Sequence, residues 1–152
     1  MKKVIVSICL VLSLLCCLTL TGCSKISIDE AEVLINDYFD ALENDDYETA
    51  AEYMHPINNL NKDSLYTTIN ELESNAGIDF SSGVELIQRT GISSYFNMNG
   101  TMGVYTTLGI TYNAKIGNVN VIINISVISD KLGLSIYGFS VNPEVLGQNS
   151  KI

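Results

Sequence analysis

Met102-Gly-Val-Tyr-Thr-Thr-Leu-Gly-Ile-Thr-Tyr-Asn-Ala-Lys-Ile116 is the stretch whose reading decides the fold. Met102, Val104, Thr106, Leu108, Ile110, Tyr112, Ala114 and Ile116 hold every second position, and Gly103, Tyr105, Thr107, Gly109, Thr111, Asn113, Lys115 and Gly117 hold the others. Side chains of a strand alternate between two faces, so a period of two marks a strand with one face buried. Gly109 falls inside the run and predicts a bend or bulge. Before it, Asn99-Gly100 carries the chemistry of a type I′ hairpin and joins it to an earlier strand around Ser93 to Met98. After it, Gly117-Asn118 leads to a third strand with Val119, Val121, Ile123, Ile125 and Val127 on one face. Asp130-Lys131 and Gly133 turn the chain into a last strand, from about Leu132 to Val141, and Pro143 ends the sheet.

Upstream of Gly83 the period is 3.6 instead. Ser27-Ile28-Asp29-Glu30 has the form of a capping box. Ile28, Ala31, Leu34, Ile35, Tyr38, Phe39 and Leu42 then form one helical stripe, with Glu32, Asn36, Asp37, Asp40 and Glu43 opposite. Asn44-Asp45-Asp46 breaks the pattern, and either aspartate can cap a short second helix that ends before Pro56. A third helix starts near Asn61, buries Leu65, Ile69, Leu72 and Ala76, and stops at Gly77. Helices first and a meander of antiparallel strands second give an α+β class: a curved antiparallel sheet with the helices packed on one face.

The stretch Val33-Leu-Ile-Asn-Asp-Tyr-Phe-Asp-Ala-Leu-Glu-Asn-Asp-Asp-Tyr-Glu-Thr-Ala-Ala-Glu-Tyr-Met54 resembles the opening of nuclear transport factor 2-like (cystatin-like, SnoaL-like) domains. Those open with a helix ending in aromatic-x-Ala-Leu, then an acidic turn, a tyrosine and a short second helix. The resemblance implies a cone whose helices and concave sheet enclose an apolar cavity. Tyr38, Leu108, Ile110 and Tyr112 are the residues whose stripes face it, and they are the expected pocket lining. Enzymes of that superfamily place Asp, Tyr or His in the cavity, where apolar surroundings shift their pKa values. This chain departs from them, because the face from Met102 to Ile116 offers only Thr106 and Tyr112 as polar groups and no carboxylate.

The N-terminus reads as an address. Lys2 and Lys3 precede an apolar run from Val4 to Leu20, which closes on Leu20-Thr21-Gly22-Cys23. That tetrapeptide resembles the lipobox of bacterial lipoproteins, in which the cysteine is acylated and the preceding residues are removed. A spanning helix needs roughly 20 apolar residues and a signal core about 7 to 15, and this run lies between. The small residues before Cys23 favour cleavage and lipidation. The expected organisation is a signal peptide over 1–22, a lipidated cysteine with a short tether over 23–26, a domain over 27–145 and a flexible tail over 146–152. Cys9, Cys16 and Cys17 would leave with the leader, so Cys23 would be the only cysteine of the mature chain and no disulfide is expected. Two acyl chains hold a protein stably on a bilayer.

Loss of Lys2 and Lys3 takes the formal charge from −9 to −11. An acidic domain is repelled by phosphate backbones, so nucleic acid is not an expected partner. Ten of the 17 carboxylates lie between Asp29 and Glu52, and a solvated helical face accounts for them. Asn44-Asp45-Asp46-Tyr47-Glu48 offers oxygen ligands but lacks the spacing and turn glycine of a calcium loop, so no metal is expected. His55 is the only histidine and reads as a helix C-terminal residue helped by the macrodipole. Asp79 and Glu85 are the remaining candidate bases, both near a Gly/Ser-rich connection and expected to be exposed. Ser64, Ser81, Ser82, Ser93 and Ser94 have no histidine at a catalytic spacing.

These readings converge on a lipid-anchored, extracytoplasmic module at the cell membrane, with no cofactor and no catalytic residue. Its partner would be an apolar small molecule or another envelope protein. Two alternatives stay open: a small isomerase- or cyclase-like pocket enzyme on an apolar substrate, and a structural homodimer through the outer sheet face carrying Tyr105, Thr107 and Thr111.

Overall fold

The computed structural model describes residues 26–99 and 103–143. The lipobox with Cys23, the hairpin turn at 100–102 and the tail at 146–152 lie outside them. Three α-helices come first: α1 Ile28–Glu43, α2 Tyr47–Tyr53 and α3 Lys62–Ala76. Short 3-10 turns at Pro56–Asn58 and Phe80–Ser82 punctuate them. Four antiparallel strands follow, β1 Val84–Asn99, β2 Gly103–Ile116, β3 Val119–Asp130 and β4 Gly133–Pro143, in the spatial order of the sequence. The α+β class is the one the change of period indicates.

α1 begins at Ser27, but its hydroxyl makes no capping bond, so the expected capping box does not form there. What holds that end is apolar: Ile26 and Ala31 occupy the two positions of a hydrophobic staple, and both are buried in the main core. A capping box does form on α3. The Asn61 side chain accepts from the Ser64 N–H at 3.0 Å, and the Ser64 hydroxyl accepts from the Asn61 N–H at 2.8 Å. Asp46, rather than Asp45, caps α2 through the Thr49 N–H at 3.1 Å. Gly77 ends α3 in the left-handed conformation that the sequence assigns to it.

One core joins the helices to the inner sheet face. Ala31, Ile35, Tyr38, Phe39 and Leu42 of α1 belong to the same buried cluster as Leu65 and Ile69 of α3 and Leu108, Ile110, Tyr112, Ala114 and Ile116 of β2. Val121, Ile123, Ile125 and Val127 of β3 complete it, as their alternation requires. Phe39, Phe80 and Phe139 stack and meet edge-on at centroid distances of 6.0–6.2 Å, and Tyr38 joins them at 5.5 Å.

The sheet departs from the sequence reading in three places. β1 begins at Val84, well before Ser93, and two bulges break its alternation: Ile87 and Thr90 have no partner on β2. Gly109 makes no bulge. It pairs in register with Ser93 and Ser126, and a β-carbon there would sit 2.7 Å from the Ser93 hydroxyl, so a side chain at this position would have to displace that hydroxyl. The first hairpin pairs Asn99 with Gly103, which leaves three residues in the connection and excludes Asn99-Gly100 as the centre of a two-residue turn. The second hairpin is as read: Ile116 pairs with Val119 across Gly117-Asn118, with Gly117 at φ +57°.

The two edges of the sheet are treated differently. β4 is covered by the segment after α2, where Met54 bridges Ile136, the His55 N–H donates to the Ile136 carbonyl at 2.8 Å and the Asn58 amide donates to the Tyr137 carbonyl at 3.0 Å. β1 is the other edge, and no strand of the described residues lies beyond it.

Candidate functional site

Four polar arrangements stand in or at the rim of the apolar interior, and the first three include hydrogen bonds between parts of the chain distant in sequence. The first is at His55. It lies not at a helix C-terminus but at the N-terminus of the Pro56–Asn58 turn, where Nδ1 accepts from the Ile57 N–H at 3.2 Å. That bond fixes the neutral ring with its proton on Nε2, which faces Asp130 Oδ2 at 3.3 Å. Asp130 in turn accepts from the Leu132 N–H through its other oxygen at 2.8 Å. Both side chains are buried. A general base needs a free nitrogen lone pair. Nδ1 is occupied, so the pair works as a clamp between the helical layer and the β3–β4 turn.

The second lies between α1 and the sheet. Arg89 Nη1 donates to Glu32 Oε1 at 2.6 Å, and the Tyr112 hydroxyl donates to the same oxygen at 3.2 Å. Burial first, and then the Glu32 charge, push the Tyr112 phenol well above its ordinary value. The Arg89 and Glu32 side chains are 37% and 36% exposed, so the cluster sits at the rim of the core rather than inside it. The sequence reading put Glu32 on the solvent side of α1. The Thr90 bulge is what turns Arg89 to the inner face, and nothing in the alternation of β1 announces it.

The third uses carboxylates to hold the chain as it enters the sheet. Glu43 accepts from the Val84 N–H, and Glu73 accepts from the Phe80 N–H at 2.8 Å. Asp79 caps the same turn, and the Ser81 hydroxyl bonded to it holds its carboxyl below the usual range. Asp79 and Glu85 are exposed, as expected, with Glu85 paired across the ladder to Lys115.

The fourth is Tyr38. Its ring is packed among Phe39 and Phe139, and its hydroxyl is buried with no hydrogen-bond partner among the described residues. Burial pushes its phenol far above the ordinary value. Tyr47, hydrogen-bonded to Asp45, is pushed up to about 12 by burial and by the Asp45 charge.

The structure brings Tyr38, Leu108, Ile110 and Tyr112 together in the closed core. Three clefts of the described surface lie elsewhere. One runs along α3 from Tyr66 to Asn75, one between Asp37, Asp40, Asn44, Asp46 and Tyr53, and one around Glu43, Gly83, Lys115 and Gly117. None of the three is lined by those four residues. The aspartate-rich cleft includes Asp46, whose carboxyl is held low by the Thr49 hydroxyl. Among the described residues no group of His, Cys, Asp and Glu has the arrangement of a metal site. No helix among them is long and apolar enough to cross a membrane. Comparison with protein-family models, with curated proteins and with solved structures returns no match.

Proposed function

We propose that this chain is a lipid-anchored extracytoplasmic lipoprotein whose domain, of nuclear transport factor 2-like form, is a non-enzymatic binding or accessory module. One observation carries the reading: Leu20-Thr21-Gly22-Cys23 closes an apolar run, and Ile26, three residues later, is buried in the core. Helices over one face of a curved four-stranded sheet agree with the cone expected from Val33 to Met54. The state of the polar groups supports a module without catalysis. His55 has both ring nitrogens engaged, and Glu32, Arg89 and Tyr112 satisfy one another at the rim. The membrane is the first partner, through the lipid. Cells fed a tagged fatty acid should label the protein, and Cys23→Ala should abolish the label and release the chain from the membrane fraction. Label that persists in the alanine variant would overturn the assignment.

A second reading is favoured by Tyr38. A buried hydroxyl without a partner costs about 1–3 kcal/mol, and a small apolar molecule carrying one acceptor oxygen would satisfy it. Tyr38→Phe separates the cases. In an empty core the change removes an unsatisfied group, and urea denaturation should show equal or greater stability. If the protein is isolated with such a molecule bound, the phenylalanine variant should lose both the molecule and stability.

A further inference from the structure

We propose that the uncovered end of the β1–β2 hairpin docks into the headgroup–acyl boundary of a bilayer, beside the lipid on Cys23. The inference rests on the lipoprotein reading and adds a second membrane contact to it. By register, Ile92, Phe96, Met98 and Val104 share the face of Leu108 and Ile110. Yet Leu108 and Ile110 are buried, whereas Phe96 is 58% and Met98 76% exposed. Ile92 and Val104 are exposed as well. The core-facing side of the sheet therefore runs on past the helices, and none of the described residues buries it there.

Three observations choose the occupant. The first is direction. Glu43, at the C-terminal end of α1, bonds to Val84, and Glu32, near its N-terminal end, bonds to Arg89. From Glu43 to Glu32 the helix rises about 16 Å, and from Val84 to Arg89, alongside Ile116 to Tyr112 of β2, the strand rises about 13 Å. The helix thus lies along β1, with its N-terminus pointing towards the hairpin tip. The second is reach. Beyond Glu32, α1 runs about 6 Å further to Ile28, and the chain from Ile28 back to Cys23 spans at most about 17 Å. Beyond Arg89, β1 runs about 30 Å to Asn99, alongside Tyr112 to Gly103 of β2. Even with that stretch fully extended towards the tip, the arm passes Cys23 by about 7 Å, within the depth of roughly 5–10 Å at which amphipathic elements sit in the headgroup boundary.

The third is charge. From Thr90 to Ala114 the chain has no Asp, Glu, Lys or Arg, within a protein whose formal charge is −9. Burying this arm among lipid headgroups desolvates no ion. Tyr95, exposed on the outer face of the same arm, has the apolar ring and polar tip enriched at membrane–water boundaries. An acidic partner protein would need none of this geometry relative to Cys23.

The test uses the full chain, purified with its lipid and reconstituted in phosphatidylcholine vesicles. Zwitterionic lipid is chosen because α1 opens with Asp29 and Glu30. Met98→Cys, and separately Phe96→Cys, are labelled with an environment-sensitive fluorophore. Asn118→Cys, exposed in the β2–β3 turn at the opposite end of the sheet, is the control. Both arm probes should shift to the blue and lose most of their emission to a nitroxide on the upper acyl chain, while escaping aqueous iodide. The control should do the reverse. Arm probes that iodide quenches and the nitroxide spares overturn the proposal. So do arm probes spared by both quenchers, which would mean that a second copy covers the arm. Fatty-acid labelling of the same preparation separates the two levels. A preparation without label overturns the lipoprotein reading and this inference with it, whereas a labelled one with exposed arm probes overturns only the arm.

Discussion

β1 and β2 pair with each other along their whole length, yet their two ends lead opposite lives. From Val84 to Arg89 the hairpin lies under α1 and shares in the core, with Ile116, Ala114 and Tyr112 buried opposite. From Tyr95 to Asn99 it keeps the same pairing and exposes its apolar side chains. Alternation is a local property of the strand and says which side chains share a face. Whether anything lies on that face depends on where α1 stops. The difference shows that period two fixes register but not burial.

The sharpest way to break the comparison is to place a charge at each end of one face. Leu108→Asp or Ile110→Asp would bury an unpaired carboxylate and should cost roughly 3–5 kcal/mol, a large part of the ~5–15 kcal/mol that holds a typical domain together. Met98→Asp, on the same face but exposed, should stay within about 0.5 kcal/mol in a delipidated sample. Urea midpoints of the three variants measure it. Equal losses at Met98 and Ile110 would mean that the arm is covered in solution.

The same distinction explains how much could be read in advance. The helices were legible because each has an unbroken stripe with its own stop signal: Asp46 before α2, Asn61 before α3 and Gly77 after it. β2 and β3 were legible because nothing interrupts their alternation. The first half of β1 was not, since the bulges at Ile87 and Thr90 change its phase twice within a few residues. Arg89 and Glu32 consequently looked like unrelated surface charges. The His55–Asp130 clamp was hidden for another reason. Its partners are 75 residues apart, and only the docking of the Met54–Asn58 segment on β4 brings them together. A lone histidine beside a proline carries no sign of such a partner. The candidate pocket residues were legible as core, and Tyr38's missing partner was not, because a hydroxyl's satisfaction depends on every element around it.

A smaller effect tests how the two sheet edges differ. His55→Ala should uncouple the covered edge: it leaves the Ile57 N–H unpaired and takes one partner from the buried Asp130 carboxylate. The expected loss is about 1–3 kcal/mol. Hydrogen exchange should rise at Ile57 and Leu132, whose amides depend on this pair, and stay unchanged at the uncovered β1 edge. A loss spread evenly over all amides would mean that the clamp supports the whole domain rather than the β4 edge.

The smallest expected effect concerns the outer face, opposite the main core. Thr111 and Thr107 both lie there, four residues apart on β2. The Thr111 hydroxyl donates to the Asn124 side chain at 2.8 Å on a solvated stretch of sheet. Thr111→Asp exchanges that bond for a hydrated carboxylate and should change stability by no more than about 0.5 kcal/mol. Thr107 pairs with Ile128, which is fully buried although it lies outside the main core cluster. A carboxylate at Thr107 would stand beside that apolar patch, so Thr107→Asp should be the costlier of the two by a few tenths of a kcal/mol to about 1 kcal/mol. Urea midpoints resolve that difference. If both variants are severely destabilised in solution, the outer face is covered over its whole width, and a second copy is the simplest cover. If Thr107→Asp is as mild as Thr111→Asp, the burial of Ile128 is confined to the far side of β3 and does not extend to β2.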